Sequence, residues 1–314
     1  RLTMAYEKKS IRSIIDDVNC RRVYLPAIQR KYVWGDNQIT KLMDSIMLGY
    51  PIGTFLFWKV KKDVINKKEY SMYEFIKDYH ERDLYKNPAA PQPFPIGSGD
   101  ETLWAVLDGQ QRLTSLYIAL QGSMSRKLPN KRWKNDDAFP KKELYFDLHS
   151  QNSDEDDISY EFRFMTTTDA AKNKDNHLWY LVKDILKYSQ EELVTELIIP
   201  NNWATDKLAM KNISLLHTRL VGDEIINYFE VEADSIDSVL DIFVRVNSGG
   251  TVLSKSDLLF STIVSHWDKA RDEIDKLLSE INKIGEGFKF SNDFIMRTCL
   301  YVLGMSVTLK VETF

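Results

Sequence analysis

The chain contains little cysteine and no long run of apolar residues. Of its 314 residues only Cys20 and Cys299 are cysteines, and they lie far apart in the sequence. No CxxC or Cys/His spacing accompanies them, so neither a disulfide framework nor a structural zinc site is predicted. No stretch approaches the roughly twenty apolar residues of a membrane span, and the first residues lack the apolar core of a signal peptide. These absences predict a cytoplasmic protein without membrane contact.

The chain also lacks the basic excess of proteins that hold DNA mainly through its phosphates. It has 42 lysines and arginines against 46 aspartates and glutamates, which gives a formal net charge of -4. Binding dominated by phosphate contacts requires a strongly cationic surface. Basic clusters such as residues 131–134 alternate with acidic stretches such as residues 154–157. We therefore expect weak non-specific DNA binding by this chain alone.

Hydrophobic periodicity divides the chain into a mixed first part and a helical second part. Four segments are rich in aromatic and branched residues and predict strands, at residues 52–60, 103–107, 144–148 and 160–165. From about Glu191 onward the spacing of apolar residues turns helical. The pattern predicts an α+β fold, with a mixed α/β domain at residues 1–188 followed by a helical domain at residues 189–314.

A predicted turn between a strand and a helix carries the strongest chemical signal. Strand 103–107 ends in Asp108-Gly109, and Leu113, Leu116 and Leu120 follow at helical spacing. The pair Asp-Gly also occurs in hairpins, but the helical spacing favours a strand-to-helix turn. The first backbone N–H groups of a helix are unpaired and lie at the positive end of its dipole. This geometry attracts phosphate.

Residues that suit a phosphate ligand follow one another in this turn. Gly109 permits close backbone approach, and Arg112 has the donor geometry for a bidentate phosphate contact. Amide and hydroxyl donors complete the predicted phosphate site, supplied by Gln110, Gln111, Thr114 and Ser115. A plain turn, with Arg112 in a surface salt bridge, stays open on these residues alone.

Asp108 has a different predicted task from its neighbours. A carboxylate beside a polyphosphate is repelled unless it holds a cation. Asp108 is therefore a candidate ligand of Mg²⁺, directly or through water, or a group that positions the attacking water. Together with Gln111 and Arg112 it makes up the predicted catalytic set.

Three ordered motifs resemble a known family of restriction enzymes. The first is LPAIQRKYVW at residues 25–34, with DSI at 44–46 and GYPIG at 49–53 after it. The second is VLDGQQRLTSL at 106–116, and the third is FVRVNSGGTVL at 243–253. Together they resemble the N-terminal domain of GmrSD-type, modification-dependent restriction enzymes, a domain long classed as one of unknown function.

The resemblance implies a fold, an activity and partners. The family's fold resembles the ParB and sulfiredoxin type, in which residues 109–115 would face a nucleoside triphosphate. The implied activity is NTP binding and hydrolysis with Mg²⁺, in support of the cutting of modified phage DNA. Family members often carry an HNH-type nuclease domain downstream. Here such a domain would lie outside this sequence or in a separate subunit, or this member would not cut DNA.

The first and third motifs contribute further candidate residues. Gln29 and Arg30 lie on an extended segment from which they would reach phosphates or a DNA backbone. Arg245 would approach the nucleotide as an arginine finger does, and Asn247 would contact the nucleotide or only cap the local turn.

The two aromatic residues of the first motif leave two alternatives open. Tyr32 and Trp34 would provide stacking surfaces for bases or DNA. Alternatively they anchor the following helix in the core.

Three hypotheses from different classes follow. The first is an NTP-hydrolysing module of an anti-phage restriction system that regulates or supports DNA cleavage. The second is a ParB-like switch that binds nucleotide without significant turnover and changes its grip on DNA or a protein partner. The third is a nuclease in this chain, which would need a metal cluster beyond one aspartate, and no histidine spacing supplies it. An ordinary P-loop enzyme is excluded, because no GxxxxGK motif is present. A homo-oligomer is compatible with the sequence.

Overall fold

The fold is known from a computed structural model that describes residues 3–29, 31–60, 71–90, 102–151, 158–172, 176–233, 236–247, 260, 263–264, 267, 269–284 and 288–304. The strands in these residues are β1 (Thr3–Lys9), β2 (Val23–Pro26), β3 (Thr54–Val60), β4 (Met72–Tyr73), β5 (Asp78–His80), β6 (Leu103–Asp108), β7 (Ser123–Ser125), β8 (Glu143–Asp147), β9 (Phe162–Met165), β10 (Trp179–Leu181) and β11 (Ile226–Glu232).

Helices occur throughout the described chain. They are α1 (Ile11–Asn19), α2 (Asp36–Leu48), α3 (Gln110–Gln121), α4 (Thr167–Lys172), α5 (Lys207–His217), α6 (Ile236–Asn247), α7 (Ala270–Asn282) and α8 (Asn292–Val302). Shorter helical turns lie at Asp136–Ala138, Val182–Lys187, Gln190–Glu192, Leu193–Ile198 and Thr218–Gly222. None of the helices in the described part of the chain is long and apolar enough to cross a membrane.

A mixed sheet of six strands forms the centre of the fold, in the order β1-β11-β3-β6-β2-β4. Strand β6 runs parallel to β2 and antiparallel to β3, and β11 runs parallel to β3 and antiparallel to β1. Two smaller sheets have the orders β10-β8-β9 and β5-β7. A mixed sheet with intervening helices agrees with the predicted α+β class.

The central sheet buries both of its faces, because alternate residues of a strand point to opposite sides. One face carries Phe57 and Val106 and packs in the large core that also contains residues of α1, α2 and α3. The other face carries Trp58 and Leu107 and packs with Phe243 of α6. The buried side chains of these elements include Leu42, Ile46, Phe57, Leu107, Leu116 and Phe243. The second and third motifs therefore meet across one face of the sheet.

Strand β11 was not predicted, since it lies in the segment expected to be helical. Its Ile226, Tyr228 and Val231 are buried, and its backbone pairs with β1 on one side and β3 on the other. The central sheet thus uses residues from both sides of position 188. The division into domains at that position stays a prediction.

Candidate functional site

The turn between β6 and α3 has the predicted form. Gly109 caps the helix with φ 89° and ψ 8°, a left-handed conformation, and its carbonyl accepts the first helical hydrogen bond from Leu113 at 2.9 Å. A Cβ atom at Gly109 would lie 2.2 Å from Cδ1 of Phe55. Both the left-handed backbone and this close approach require glycine. The turn is therefore built around Gly109.

Asp108 keeps the most open side chain of the five residues in the turn. It ends β6, and 35% of its side chain is exposed, against 20% for Arg112. Its Oδ2 lies 3.4 Å from Nη2 of Arg112, a distance at the outer limit of a hydrogen bond. One carboxylate oxygen therefore faces the guanidinium while the carboxylate stays accessible from solvent.

Arg112 is held by backbone carbonyls and not left free for a ligand. Its Nη1 donates to the carbonyl of Ile52 at 2.6 Å and its Nη2 to that of Thr54 at 3.0 Å, while the guanidinium lies 4.5 Å from the centre of the Phe55 ring. Gly53 has φ +83°, and a Cβ there would lie 2.4 Å from Nη1. The second glycine of the GYPIG motif, Gly53, therefore leaves room for the guanidinium to reach the backbone carbonyls.

These contacts differ from the bidentate phosphate grip expected of Arg112. Both terminal nitrogens already donate to carbonyls, so a phosphate would have to compete with them. Burial lowers the pKa of the guanidinium, and the charge of Asp108 opposes that change. In the structure Arg112 holds Asp108 and the backbone at the start of β3 in place.

Two glutamines connect the first motif to the turn. The buried Gln29 donates from Nε2 to the carbonyls of Val106 at 2.6 Å and Leu107 at 3.0 Å. Gln111 donates from Nε2 to the carbonyl of Lys31 at 3.0 Å, and its Oε1 accepts from the backbone N–H of Val33 at 2.9 Å. The expected contacts of these two side chains with a ligand are therefore replaced by contacts with the backbone. Gln110 is buried as well.

The hydroxyl groups predicted to contact phosphate point into the core. Thr114 and Ser115 are fully buried, and Oγ of Ser115 pairs with the hydroxyl of Tyr32 at 2.9 Å. Oγ1 of Thr114 has no hydrogen-bond partner among the described residues. Because neither hydroxyl reaches solvent, the structure assigns both residues to the packing of α3 and not to a ligand surface.

The aromatic residues of the first motif follow the core alternative. Tyr32 is 4% exposed and contacts Tyr79 edge-on at 5.7 Å between ring centres. Burial raises the pKa of its hydroxyl. Trp34 is partly buried against the same core, and its carbonyl accepts from Nη2 of Arg126 at 2.9 Å. Tyr32 is thus unavailable for stacking, and Arg30 lies outside the described residues.

The third motif brings one exposed cation to the end of α6. Val239 and Phe243 bury this helix against the sheet, while Arg245 in its last turn is exposed. In the described part of the chain, no ion pair joins Arg245 to Asp108. The backbone of Asn247 ends the helix, but its side chain, like residues 248–259, lies outside what the structure describes.

A cluster of potential metal ligands that the sequence did not suggest occurs beside the small sheet. Asp147, Glu161 and His177 bring their ligand atoms within 4.8 Å of one another. The carboxylate of Asp147 already has three partners, because Oδ1 accepts from the backbone N–H groups of His149 and Leu178 at 2.9 Å each and Oδ2 lies 2.7 Å from Nδ1 of His177. This cluster reads as a structural network.

Comparison with known proteins agrees with the motifs. The family model of the N-terminal domain of the GmrSD restriction endonuclease matches residues 11–264. The chain belongs to this family. All three motifs lie within the matched residues, so the GmrSD resemblance is confirmed and the chain is linked to restriction systems.

One archaeal protein is similar to most of this chain. An uncharacterized protein of Methanocaldococcus jannaschii is 26% identical over 273 residues, which is 82% of this chain and 42% of that protein. The chain thus spans less than half of the length of this relative.

Proposed function

We propose that this GmrSD N-terminal domain binds and hydrolyses a nucleoside triphosphate at the turn of residues 108–112, and thereby regulates or supports DNA cleavage by a restriction system. The observation that carries the proposal is the form of the turn. A helix of 12 residues begins at a left-handed glycine, and an accessible aspartate stands beside its N-terminus. A helix N-terminus binds phosphate through its backbone N–H groups and its dipole.

The buried polar side chains around the turn supply rigidity in this proposal. Gln29, Gln111 and Arg112 each bind backbone carbonyls of a neighbouring segment. A site whose donors are fixed before the ligand arrives stabilises developing charge without reorganisation. The backbone N–H groups of residues 110–112 would then bind the phosphate, and the three side chains would hold those N–H groups in position.

Asp108 fits the role of a Mg²⁺ ligand. Mg²⁺ is commonly held by one or two carboxylates together with the phosphates of the substrate, and Asp108 offers an accessible carboxylate at the point where those phosphates would lie. The ion would offset the charge between carboxylate and polyphosphate. Asp108 itself would orient the attacking water or the phosphate, and Arg112 at 3.4 Å would hold the carboxylate in position.

Cations from the other two motifs would complete the charge balance. Arg245 is exposed on a helix that packs against β6, which supports a role for it as a charge-neutralising group. Arg30 and Asn247 remain proposed contributors by their place in the motifs.

The family also suggests the type of fold and the partners of this proposal. A ParB and sulfiredoxin type of fold would account for a nucleotide at the turn. With a net charge of -4, the chain would rely on an HNH-type nuclease domain or subunit for most of its grip on modified phage DNA. We propose that the protein acts in the cytoplasm.

Phosphate release tests the proposal. We would measure release from ATP, GTP, CTP and UTP with Mg²⁺, for the wild type, Asp108→Ala and the control Asp137→Ala, whose aspartate is exposed elsewhere. The proposal predicts release by the wild type and the control, and its loss in Asp108→Ala. No release and no nucleotide binding by the wild type would refute it.

A nucleotide switch without turnover is the second candidate. The observation that favours it is the set of contacts made by Gln29, Tyr32 and Gln111, which ties residues 26–33 to the turn. A ligand at the turn would therefore act on that segment. Nucleotide binding by the wild type and by Asp108→Ala, without phosphate release from either, would identify the switch.

A further inference from the structure

A cavity lies between α7 and the segment of residues 73–87. Its volume is about 290 Å³, and its lining is mainly charged, consisting of Lys31, Tyr73, Lys86, Asn87, Arg271, Asp272, Asp275, Lys276, Ser279, Glu280 and Lys283. We call it the α7 cavity. It includes none of residues 108–112, and it meets the first motif at Lys31 and, through Arg271, at Ala27. It is therefore a separate place from the turn.

Arg271 is a buried cation on the wall of the α7 cavity. Only 3% of this residue is exposed. Its Nη1 donates to the carbonyl of Ala27 at 3.2 Å, and its guanidinium lies 4.3 Å from the centre of the Tyr73 ring. No carboxylate among the described residues comes within ion-pair distance of it. A guanidinium has five N–H donors, so most of the donors of Arg271 have no described acceptor.

The acidic residues of the α7 cavity are partly engaged elsewhere. Asp275 forms an ion pair with Lys31, and Oδ1 of Asp272 accepts from the hydroxyl of Tyr73 at 3.1 Å. Asp272 keeps its negative charge in this hydrogen bond, so Asp272 and Glu280 both oppose an anion. These two carboxylates are outnumbered by four cations without a described ion pair, namely Arg271, Lys86, Lys276 and Lys283. The α7 cavity therefore carries an excess of positive charge.

An unused acceptor accompanies these donors. Asn87 is 7% exposed, and its Nδ2 donates to the carbonyl of Glu74 at 3.1 Å. Its Oδ1 is buried and accepts no hydrogen bond from the described residues. A buried acceptor without a donor is unfavourable. Oδ1 is covered, so the Asn87 side chain has to turn toward the cavity to meet a ligand. A ligand that carries both an anion and an N–H group would then satisfy Arg271 and Asn87 together.

We propose that the α7 cavity binds a nucleoside monophosphate unit, either free or as one residue of a nucleic acid strand. The phosphate would bind Arg271, Lys86 and Lys276, and an N–H group of the base would donate to Asn87. The volume lies near the lower end of ligand pockets, which begin at about 300 Å³, and so suits one nucleotide unit. This site does not depend on hydrolysis at the turn.

Titration calorimetry with the four deoxynucleoside monophosphates and with inorganic phosphate tests the site. The test variant is Lys86→Gln combined with Lys276→Gln, which removes two charges without changing the core. Lys211→Gln, an exposed lysine of α5, is the matched control. We expect the wild type and the control to bind a monophosphate, and the double variant to bind it about tenfold more weakly or worse.

A second variant separates the base from the phosphate. Asn87→Ala should weaken binding of the nucleotide but leave that of inorganic phosphate unchanged. A single-stranded oligonucleotide identifies the source: binding that is lost in the double lysine variant indicates a strand, and binding of free monophosphate alone indicates a small ligand. Asp108→Ala should retain all of this binding, which keeps the test independent of the turn. Absence of binding by the wild type, or equal affinity in the double variant, would overturn the proposal.

Discussion

At the turn of residues 108–112 the buried polar side chains form their hydrogen bonds within the protein. At the α7 cavity, in contrast, most N–H donors of a buried guanidinium have no described acceptor. Gln29, Gln111 and Arg112 end on backbone carbonyls. Arg271 donates to one carbonyl in the described residues. Both regions are rich in cationic and amide side chains, and they differ in what those groups are left to bind.

The difference shows that residue type does not by itself identify a ligand contact. The glutamines and the arginine of the second motif look like phosphate donors in the sequence, yet they build the backbone that would present the phosphate site. Arg271 lies outside the three motifs, yet it faces a cavity. Substitutions that affect stability and binding differently in the two regions sharpen this comparison.

Gly109→Ala should have the largest effect on the turn. The substitution places a Cβ 2.2 Å from Phe55 at a positive φ, so we expect a loss of about 3 kcal/mol or more in the free energy of unfolding. Gly222→Ala is the control, because a Cβ there meets nothing within 4 Å. Urea denaturation measures both variants. Equal stability of the two variants would contradict the claim that the turn requires a glycine at position 109.

Gln29→Leu should have the next largest effect. It leaves the carbonyls of Val106 and Leu107 without the amide donor, at a cost of about 2 kcal/mol. Gln111→Leu should cost a similar amount, since it removes the hydrogen bonds of this side chain with the backbone of Lys31 and Val33. Because both glutamines hold the same segment, the double variant should lose less than the sum of the two. A double-mutant cycle measures the coupling, and strict additivity would argue against a shared role.

Arg112→Met should destabilise the protein clearly more than Arg271→Met. Removing Arg112 deprives two carbonyls of charged donors and should cost about 2 kcal/mol. Removing Arg271 relieves the burial of a cation that has no described ion pair, so stability should stay within about 1 kcal/mol of the wild type or rise. Denaturation of both proteins at pH 7 decides this. A loss at Arg271 as large as that at Arg112 would break the comparison.

The smallest effects are expected inside α3. Ser115→Ala leaves the hydroxyl of the buried Tyr32 without its partner and should cost about 1 kcal/mol. Thr114→Val replaces a hydroxyl that has no described partner by a methyl group of the same shape, so the free energy of unfolding should be unchanged or rise slightly. Thermal melts compare the pair, and a greater loss in Thr114→Val would show that its hydroxyl is used.

Local patterns predicted the elements of the turn. Aromatic and branched residues at 52–60 and 103–107 predicted two central strands, and the helical spacing after Gly109 predicted α3. The hydrogen bonds of Gln29 and Gln111 were not predictable, because their partners are carbonyls 77 and 80 residues away in the chain. A sequence pattern shows which donors exist but not which acceptors the fold brings to them.

Strand β11 and the α7 cavity also depend on distant contacts. The alternation of Ile226 and Tyr228 with polar residues was a usable signal for a strand, but it is short and lies within a stretch expected to be helical. The cavity forms because α7 places Arg271 against Ala27, which is 244 residues away. No local spacing in either segment indicates that contact.

The central claim is that the side chain of Asp108 carries the chemistry of the turn while its neighbours hold the geometry. The direct test is the rate of phosphate release from the preferred nucleoside triphosphate by Asp108→Asn with Mg²⁺, with nucleotide affinity and unfolding measured on the same preparation. The account predicts release at least about 100-fold slower than in the wild type, with stability unchanged and nucleotide still bound. Release at the wild-type rate by a folded Asp108→Asn would contradict it.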